Sequence, residues 1–318
     1  MTEADYFTLS HRENAYLNIS CFVGQYPEYL ESMLQHLAFE KLQHCDANIR
    51  RLASQALSLL SVFNPEMMVK TVLSALIEKC FSKALHIRHG AILGVSEILI
   101  GLSGHALENR QDILDSIMKS MGANERTILK DSEGHAKFRT HFEELSNQNY
   151  LPTVLPEDSD IMNELRNIIH RVEKERLYRG VGGEIMREGV CHLIFSLSTA
   201  KVQMDNGMSQ QLFKNLLENF KHPKQEIQDE AAKAFKIYCE TYYAGHAIEQ
   251  SDHLVAEVTK MFEPSQHDQS ISVTRGYNMA FGVMSKEMQA MFGTGLVNVL
   301  IANCVAKGKP NDDAETRR

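Results

Sequence analysis

Residues 85–101 constrain the fold more than any other part of the chain. Their apolar side chains recur every three or four positions, which is helical spacing, and occupy more than one side of the helix. Such a helix must be covered by neighbours, and Gly90, Ala91 and Gly94 would let those neighbours approach closely. Because glycine inside a helix costs about 1 kcal/mol relative to alanine, packing must outweigh propensity here. We interpret this segment as the inner helix of a stacked helical pair.

The start of this helix is repeated elsewhere in the chain. Arg88 follows an isoleucine and precedes an alanine by three residues, and Arg50 has the same surroundings 38 residues earlier. Looser copies centre on Gln228 and Arg275, and another amphipathic helix precedes each copy. A period of about 40 residues is typical of HEAT and armadillo repeats. The sequence therefore predicts an all-α fold, a HEAT/armadillo-like α-solenoid of stacked antiparallel helix pairs.

Three arginines lie in the repeated pattern, and the sequence leaves several roles open for them: Arg50, Arg88 and Arg275. Each can be a surface residue, an ion-pair partner within its repeat, or a contact with a binding partner. Of these roles, a structural one is favoured over a binding one.

The helical pattern lapses in the middle of the chain. Residues 122–159 contain polar and helix-breaking stretches, with a short helix predicted at 135–145. We therefore expect HEAT-like repeats over 1–121, a polar and poorly packed insertion over 122–159, further helical repeats over 160–308, and a polar tail over 309–318.

Composition excludes several classes of protein. The 318 residues are 43% hydrophobic, too apolar for general disorder, and the net charge of −8 argues against nucleic acid as the main partner. The N-terminus lacks the features of a signal peptide, and the longest nearly apolar run, 296–306, is too short to span a membrane. Six scattered cysteines indicate buried free thiols in a reducing compartment. We expect a cytosolic or nuclear protein.

The glycine-rich stretch at 178–191 is the most unusual motif. Gly180, Gly182 and Gly183 permit backbone conformations that other residues avoid. The stretch lacks the lysine and hydroxyl of a P-loop, and no strand precedes it, so phosphate binding is not expected. A sharp turn between helices and a contact with a partner protein are the alternatives, and the turn is favoured.

No set of residues has the spacing of a catalytic or metal site. His86 and His89 are three residues apart on a helix, but the sequence places no third ligand beside them, which favours solvated or capping histidines. Cys191 and His192 resemble half of a nucleophilic pair, although adjacent helical residues point in different directions. We expect no catalytic residue, cofactor or metal ion.

Four stretches together resemble a known family. They are Asp5-Tyr6-Phe7 with Arg12 and Pro27-Glu28-Tyr29; Ile87-Arg88-His89-Gly90-Ala91-Ile92-Leu93; Tyr178-Arg179-Gly180-Val181-Gly182-Gly183 with Met186-Arg187 and Val190-Cys191; and Thr274-Arg275-Gly276 with Ala280 and Gly282. In this order they resemble the C-terminal half of the tubulin-folding cofactor D family, and the glycine-rich stretch is the most specific of them. The chain lacks the long N-terminal array of that family, so we expect a partial or divergent short form.

The resemblance implies a function and partners. It implies a HEAT-repeat chaperone scaffold, not itself an enzyme, that captures β-tubulin after chaperonin release and helps to assemble the α/β-tubulin heterodimer. Such a protein would be cytoplasmic and microtubule-associated, and would act with cofactors C and E and an Arf-like small GTPase in a complex that stimulates GTP hydrolysis by tubulin. The motif positions then mark candidate partner-binding residues: Arg88, His89, Tyr178, Arg179, Gly180, Gly182, Gly183, Arg187 and Arg275. The alternative is a generic HEAT-repeat adaptor, such as a transport receptor or a phosphatase scaffold.

Overall fold

The computed structural model describes residues 14–105, 132–178, 182–243, 256, 258–260 and 270–304. All regular elements among these residues are helices. The chain divides into two compact units, Met1–Leu177 and Tyr178–Arg318. Within each unit the helices pack in pairs, as they do in an α-solenoid, so the predicted fold class is confirmed.

The described part of the first unit begins with five helices that alternate between outer and inner positions. They are α1 (Asn14–Ile19 continuing as Ser20–Gly24), α2 (Pro27–His36 continuing as Leu37–Lys41), α3 (Ala47–Leu60), α4 (Pro65–Met67, Met68–Leu73 and Ser74–Lys79) and α5 (Leu85–Leu102). Side-chain caps set two of the starts. Asp46 accepts a hydrogen bond from the backbone N–H of Asn48 at 2.8 Å, and Asn64 accepts one from that of Met67 at 3.1 Å.

Helix α5 lies in the core of the first unit, with α3 and α4 packed against it. Arg50 contacts His89 near the starts of α3 and α5, and Ser58 lies against Gly101 near their ends, so the two helices run in the same direction. By length and composition α5 could span a membrane, but 83% of it is buried inside the protein. The prediction of an inner helix covered by neighbours is therefore confirmed.

The close packing of α5 depends on two glycines. A Cβ at Gly90 would overlap the carbonyl oxygen of Leu42, a backbone atom just beyond the end of α2. A Cβ at Gly94 would press into the side chains of Leu42 and Leu76. The contacts that these glycines allow offset their low helix propensity, which costs about 1 kcal/mol at each position.

Four further helices of the first unit lie among the described residues. They are α6 (Ser132–Ser146), α7 (Leu151–Val154), α8 (Asp160–Arg166) and α9 (Ile168–Lys174). Phe138 and Phe142 of α6 are 3% and 0% exposed, in a cluster with Cys21, Leu59 and Val62. The expectation of a poorly packed insertion is wrong for this part of 122–159, because two aromatic side chains one helical turn apart anchor an otherwise polar helix. Residues 122–131 lie outside the described residues.

The first unit ends later than the sequence suggested. Helix α8 packs against α4, and the guanidinium carbon of Arg171 in α9 lies 3.5 Å from the ring centroid of Phe81. The boundary between the two units falls after Leu177, whereas the sequence analysis placed segment ends after residues 121 and 159. The predicted polar tail, 309–318, lies outside the described residues.

The described helices of the second unit continue the pairing. They are α10 (Gly183–Thr199), α11 (Asn206–Phe220), α12 (Gln225–Tyr242), α13 (Ile271–Val283), α14 (Lys286–Met291) and α15 (Gly293–Cys304). An ion pair between Glu184 and Lys224 joins the starts of α10 and α12. Near their ends, Thr241 Oγ1 donates a hydrogen bond to the carbonyl oxygen of Ser198 at 2.9 Å, so these two helices also run in the same direction.

Gly276 of α13 allows the same kind of close helix contact in the second unit as Gly90 of α5 allows in the first. Each glycine is the sixth residue of its helix. A Cβ at Gly276 would overlap the carbonyl oxygen of Phe220, the last residue of α11, as a Cβ at Gly90 would overlap that of Leu42. An inner helix thus crosses the C-terminal end of an outer helix at the same level in both units.

Replacing Gly276 by alanine is expected to destabilise the protein by about 1–3 kcal/mol, the usual cost of forcing extra atoms into a packed core. Gly282 is the matched control on the same helix, since a Cβ there meets no described atom within 4 Å. Gly282→Ala should be neutral or should stabilise the protein by up to about 1 kcal/mol. Urea unfolding followed by circular dichroism measures both variants, and equal effects would contradict the close approach of α13 to α11.

Candidate partner-binding residues

Long polar side chains occupy a fixed place near the start of the inner helices. Arg50, Arg88 and Gln228 are the fourth residues of α3, α5 and α12, and Arg187 and Arg275 are the fifth residues of α10 and α13. From this place a side chain can reach back to the loop that precedes its helix. The five residues therefore correspond in position, although the sequence copies around Gln228 and Arg275 are loose.

Arg50 joins the loop before α3 to helix α5. Its Nη1 donates hydrogen bonds to the carbonyl oxygens of His44 and Cys45 at 2.7 and 2.8 Å, and its Nε donates to Nδ1 of His89 at 3.1 Å. Burial lowers the pKa of the guanidinium, while Asp46 acts in the opposite direction. Because arginine stays charged at any pH that the protein experiences, these are charge-assisted bonds inside the core.

His89 is an acceptor in this network. Its side chain is only 1% exposed, so the interpretation as a solvated or capping histidine is wrong for His89, whereas His86 is exposed. The Nδ1 atom of His89 faces a cationic donor, Arg50, which disfavours a metal ion at the same atom. Among the residues that the structure describes, no group of three or more His, Cys, Asp or Glu is placed to hold a metal ion.

Arg88 has the same role in α5. Its Nη1 donates to the carbonyl oxygens of Ser82 and Lys83 at 2.6 and 3.4 Å, and its Nη2 donates to that of Leu177 at 3.4 Å. The residue is 7% exposed, and burial lowers the pKa of its guanidinium. The candidate residues Arg88 and His89 thus lie within the first unit. Within the part of the chain that the structure describes, the hydrogen-bond partners of Arg88 are backbone carbonyls, not the carboxylate that an ion pair within the repeat would need.

In the second unit, Gln228 and Arg275 likewise donate hydrogen bonds to backbone carbonyl oxygens. Nε2 of Gln228 donates to the carbonyl oxygens of Phe220 and Ser272, both at 2.7 Å. Nε of Arg275 donates to Oε1 of Gln228 at 2.7 Å, and its Nη2 donates to the carbonyl oxygen of Pro223 at 2.9 Å. Gln228 is fully buried, whereas the candidate residue Arg275 keeps part of its surface accessible.

The described part of the glycine-rich stretch forms the turn that the sequence analysis favoured. Gly182 precedes α10 with φ of +84°, in the left-handed region that favours glycine. A Cβ at Gly183 would overlap the carbonyl oxygen of Tyr178. Both positions therefore need glycine for backbone reasons. The candidate residues Arg179 and Gly180 lie outside the described residues.

Tyr178 and Arg187 meet beside this turn. The guanidinium carbon of Arg187 lies 5.0 Å from the ring centroid of Tyr178, within the range of a cation–π interaction. Asn215 Nδ2 donates to the hydroxyl of Tyr178 at 2.8 Å, and Nη1 of Arg187 donates to Oδ1 of Asn219 at 2.7 Å. We call these four residues the Tyr178 cluster. The structure thus brings together four of the predicted positions, Tyr178, Gly182, Gly183 and Arg187.

Sequence reasoning missed the two asparagines of the Tyr178 cluster. Asn215 and Asn219 are 4% and 0% exposed, and Nδ2 of Asn219 donates to Oδ1 of Asn215 at 3.0 Å. They lie four residues apart on the face of α11 that otherwise carries apolar residues. Amides at buried positions of an amphipathic helix were the available signal, because buried amides need hydrogen-bond partners.

Cys191 lies beneath the Tyr178 cluster. Asn219 Nδ2 donates a hydrogen bond to its sulfur at 3.2 Å, and burial raises the pKa of the thiol to about 12. Such a thiol is protonated at neutral pH and is not an activated nucleophile. The neighbouring ring of His192 packs against Phe195, with 6.0 Å between the centroids. The expectation of buried free cysteines holds for Cys191 but is wrong for Cys45, which is exposed.

Replacing Arg50 by alanine is expected to destabilise the protein by about 3 kcal/mol, because two carbonyl oxygens and His89 Nδ1 lose their donor inside the core. The next residue, Arg51, is exposed, and Arg51→Ala should change the free energy of unfolding by no more than about 0.5 kcal/mol. Chemical denaturation measures both. A loss no larger for Arg50→Ala than for Arg51→Ala would show that the network contributes no stability.

Gly182→Val is expected to lower stability by about 2 kcal/mol, since a β-branched residue is strained at this positive φ. Gly182→Asn should cost less, because asparagine tolerates the left-handed conformation better. Gly295→Ala is the control, since a Cβ at Gly295 meets no described atom within 4 Å. Melting temperatures that do not follow this order would contradict the turn geometry.

Comparison with known proteins shows what this chain is similar to. No protein-family model matches the chain, and no solved structure matches it. Among curated proteins, tubulin-specific chaperone D of Dictyostelium discoideum is 26% identical to this chain over 211 residues. The match covers 66% of this chain and 11% of the relative, so the chain corresponds to a small part of that protein. The resemblance predicted from the four motifs is confirmed at this level: the chain is similar to tubulin-specific chaperone D.

Proposed function

We propose that this chain takes part in tubulin folding as a chaperone scaffold that binds β-tubulin and has no catalytic activity of its own. The observation that carries the proposal is the 26% identity over 211 residues to a tubulin-specific chaperone. Stacked helix pairs suit this role, because they present extended surfaces on which many modest contacts can add up. The high pKa of the buried Cys191 thiol also favours a binding role over nucleophilic catalysis at that position.

Within this proposal the candidate residues divide into two groups. Tyr178, Arg187 and Arg275 each keep part of their surface accessible, and tyrosine and arginine are frequent hot-spot residues in protein interfaces. We assign the contact with tubulin to these three side chains. Arg88 and His89 lie in the core of the first unit and would act by holding its helices in place.

The proposal extends to partners and location, on the strength of the motif resemblance. The chain would act with tubulin-folding cofactors C and E and an Arf-like small GTPase. Their complex would stimulate GTP hydrolysis by tubulin, with this chain as a non-catalytic component. The expected location is the cytoplasm, in association with microtubules.

The test is retention of purified tubulin by the immobilised chain, followed by titration to obtain Kd. Arg187→Lys keeps the charge but loses the planar group over Tyr178, and it should weaken tubulin binding by about fivefold. Arg171→Lys is the matched control, because Arg171 also lies over an aromatic ring, that of Phe81, and is not among the residues assigned to the contact. The control should bind tubulin as the unchanged chain does, and circular dichroism should show both variants folded.

Two results would contradict the proposal. If neither tubulin nor cofactor E is retained, the chaperone role fails for this chain. Retention of unrelated peptides without tubulin would favour the generic HEAT-repeat adaptor instead. If tubulin binds but Arg187→Lys and Arg171→Lys behave alike, the assignment of the tubulin contact to Arg187 is wrong while the function stands.

A further inference from the structure

An open groove lies in the second unit, between α12 and α13 on one side and α14 and α15 on the other. Its volume is about 1170 Å³. Apolar side chains form much of its surface, among them Met279, Leu296, Val297 and Leu300. Val297 is 52% exposed, and Ile301, one turn further along α15, is 58% exposed. Exposed apolar side chains that adjoin one another are a common mark of a surface that binds another molecule.

The charged residues of the groove are mostly basic. They are Lys233 and Lys236 of α12, Arg275 of α13 and Lys286 of α14, with Asp229 as the acidic member among the described lining residues. The chain as a whole carries a net charge of −8, so this groove is a local exception. A concave basic surface in an acidic protein raises the local concentration of anionic ligands.

Two of these cations are available to a ligand. Lys233 is paired with Glu230 at 2.6 Å, and Arg275 donates its hydrogen bonds to Gln228 and Pro223. Lys236 and Lys286 are exposed and form no ion pair with any described residue. They lie on different helices that line the groove, α12 and α14.

We propose that this groove binds an acidic amphipathic segment of a partner protein. Its apolar side chains would cover Val297 and Leu300, and its carboxylates would meet Lys236 and Lys286. The apolar surface favours such a peptide over a nucleic acid, whose phosphates would use the cations and leave the exposed valine uncovered. The proposal goes beyond the tubulin assignment. Arg275 lines the groove and also belongs to the proposed tubulin contact, but the binding of an acidic segment is argued from Lys236, Lys286 and the apolar surface and does not depend on that assignment.

The first test uses a fluorescein-labelled peptide of about eighteen residues, with leucines at i, i+3, i+4 and i+7 and glutamates at the other positions. A second peptide has lysines in place of the glutamates. In fluorescence anisotropy with the full chain, the acidic peptide should bind about tenfold more tightly than the basic one, and its Kd should rise with salt concentration. Equal affinities, or no binding of the acidic peptide, would overturn the proposal.

Variants then locate the binding. The double variant Lys236→Glu with Lys286→Glu should weaken binding of the acidic peptide by about tenfold, and Val297→Ser should weaken it by about threefold. Lys214→Glu is the control: Lys214 is exposed on α11 and does not line the groove. Its Kd should equal that of the unchanged chain. The groove is not the site if Lys214→Glu weakens binding as much, for each reversed charge, as the double variant does. The same conclusion follows if the double variant has no effect on binding.

Separate measurements test two other occupants of the groove: another segment of the same chain and a second copy of the chain. Val297→Cys should react with maleimide as fast as the exposed Cys45 in the free chain. Slow reaction would mean that another segment of the chain covers the groove, which overturns the proposal. Concentration-dependent self-association in analytical ultracentrifugation, lost in Val297→Ser, would assign the groove to a second copy and would equally overturn it.

Discussion

In each unit, inner helices pack closely against backbone carbonyl oxygens and donate hydrogen bonds to them, and this contact governs how the unit is assembled. The last carbonyls of an outer helix and those of the following loop lack donors within the helix. Arg50, Arg88 and Gln228 supply those donors, while Gly90 and Gly276 let the inner helix come close enough. Because each buried acceptor left without a donor costs about 1–3 kcal/mol, this contact selects one position of the inner helix among many apolar alternatives.

The residues that maintain the fold differ from those that are available for binding. An arginine at the start of a repeat helix resembles a binding residue in the sequence, yet Arg50 and Arg88 are buried, and the Nη1 atom of each donates to backbone carbonyls. Tyr178 and Arg187 lie on either side of Gly182 and Gly183, whose backbone positions need glycine, so their side chains can be presented in a defined geometry. The basic groove beside α15 lies elsewhere in the second unit and has a different character, apolar with cations at its edge.

Much of the candidate site could be read from the sequence, but not its internal contacts. The glycine-rich motif pointed to Gly182 and Gly183, because left-handed backbone and close approach leave a compositional trace. Tyr178 and Arg187 were predicted from the resemblance to a known family. The asparagines that bind Tyr178 and Arg187 lie 37 and 32 residues away in sequence. Nothing in their local surroundings states which residue they face, so they could be recognised only as amides on an apolar helix face.

The sequence alone determined the helical class, the pairing of helices and the recurrence of a polar residue at the start of the inner helices, since each follows from spacing along a few turns of chain. Tertiary structure decided which faces are covered. It placed Phe138 and Phe142 of a polar segment in the core, buried His89 beside Arg50, and set the end of the first unit at Leu177. The physical reason is that helical periodicity is local, whereas burial depends on contacts between residues distant in the chain.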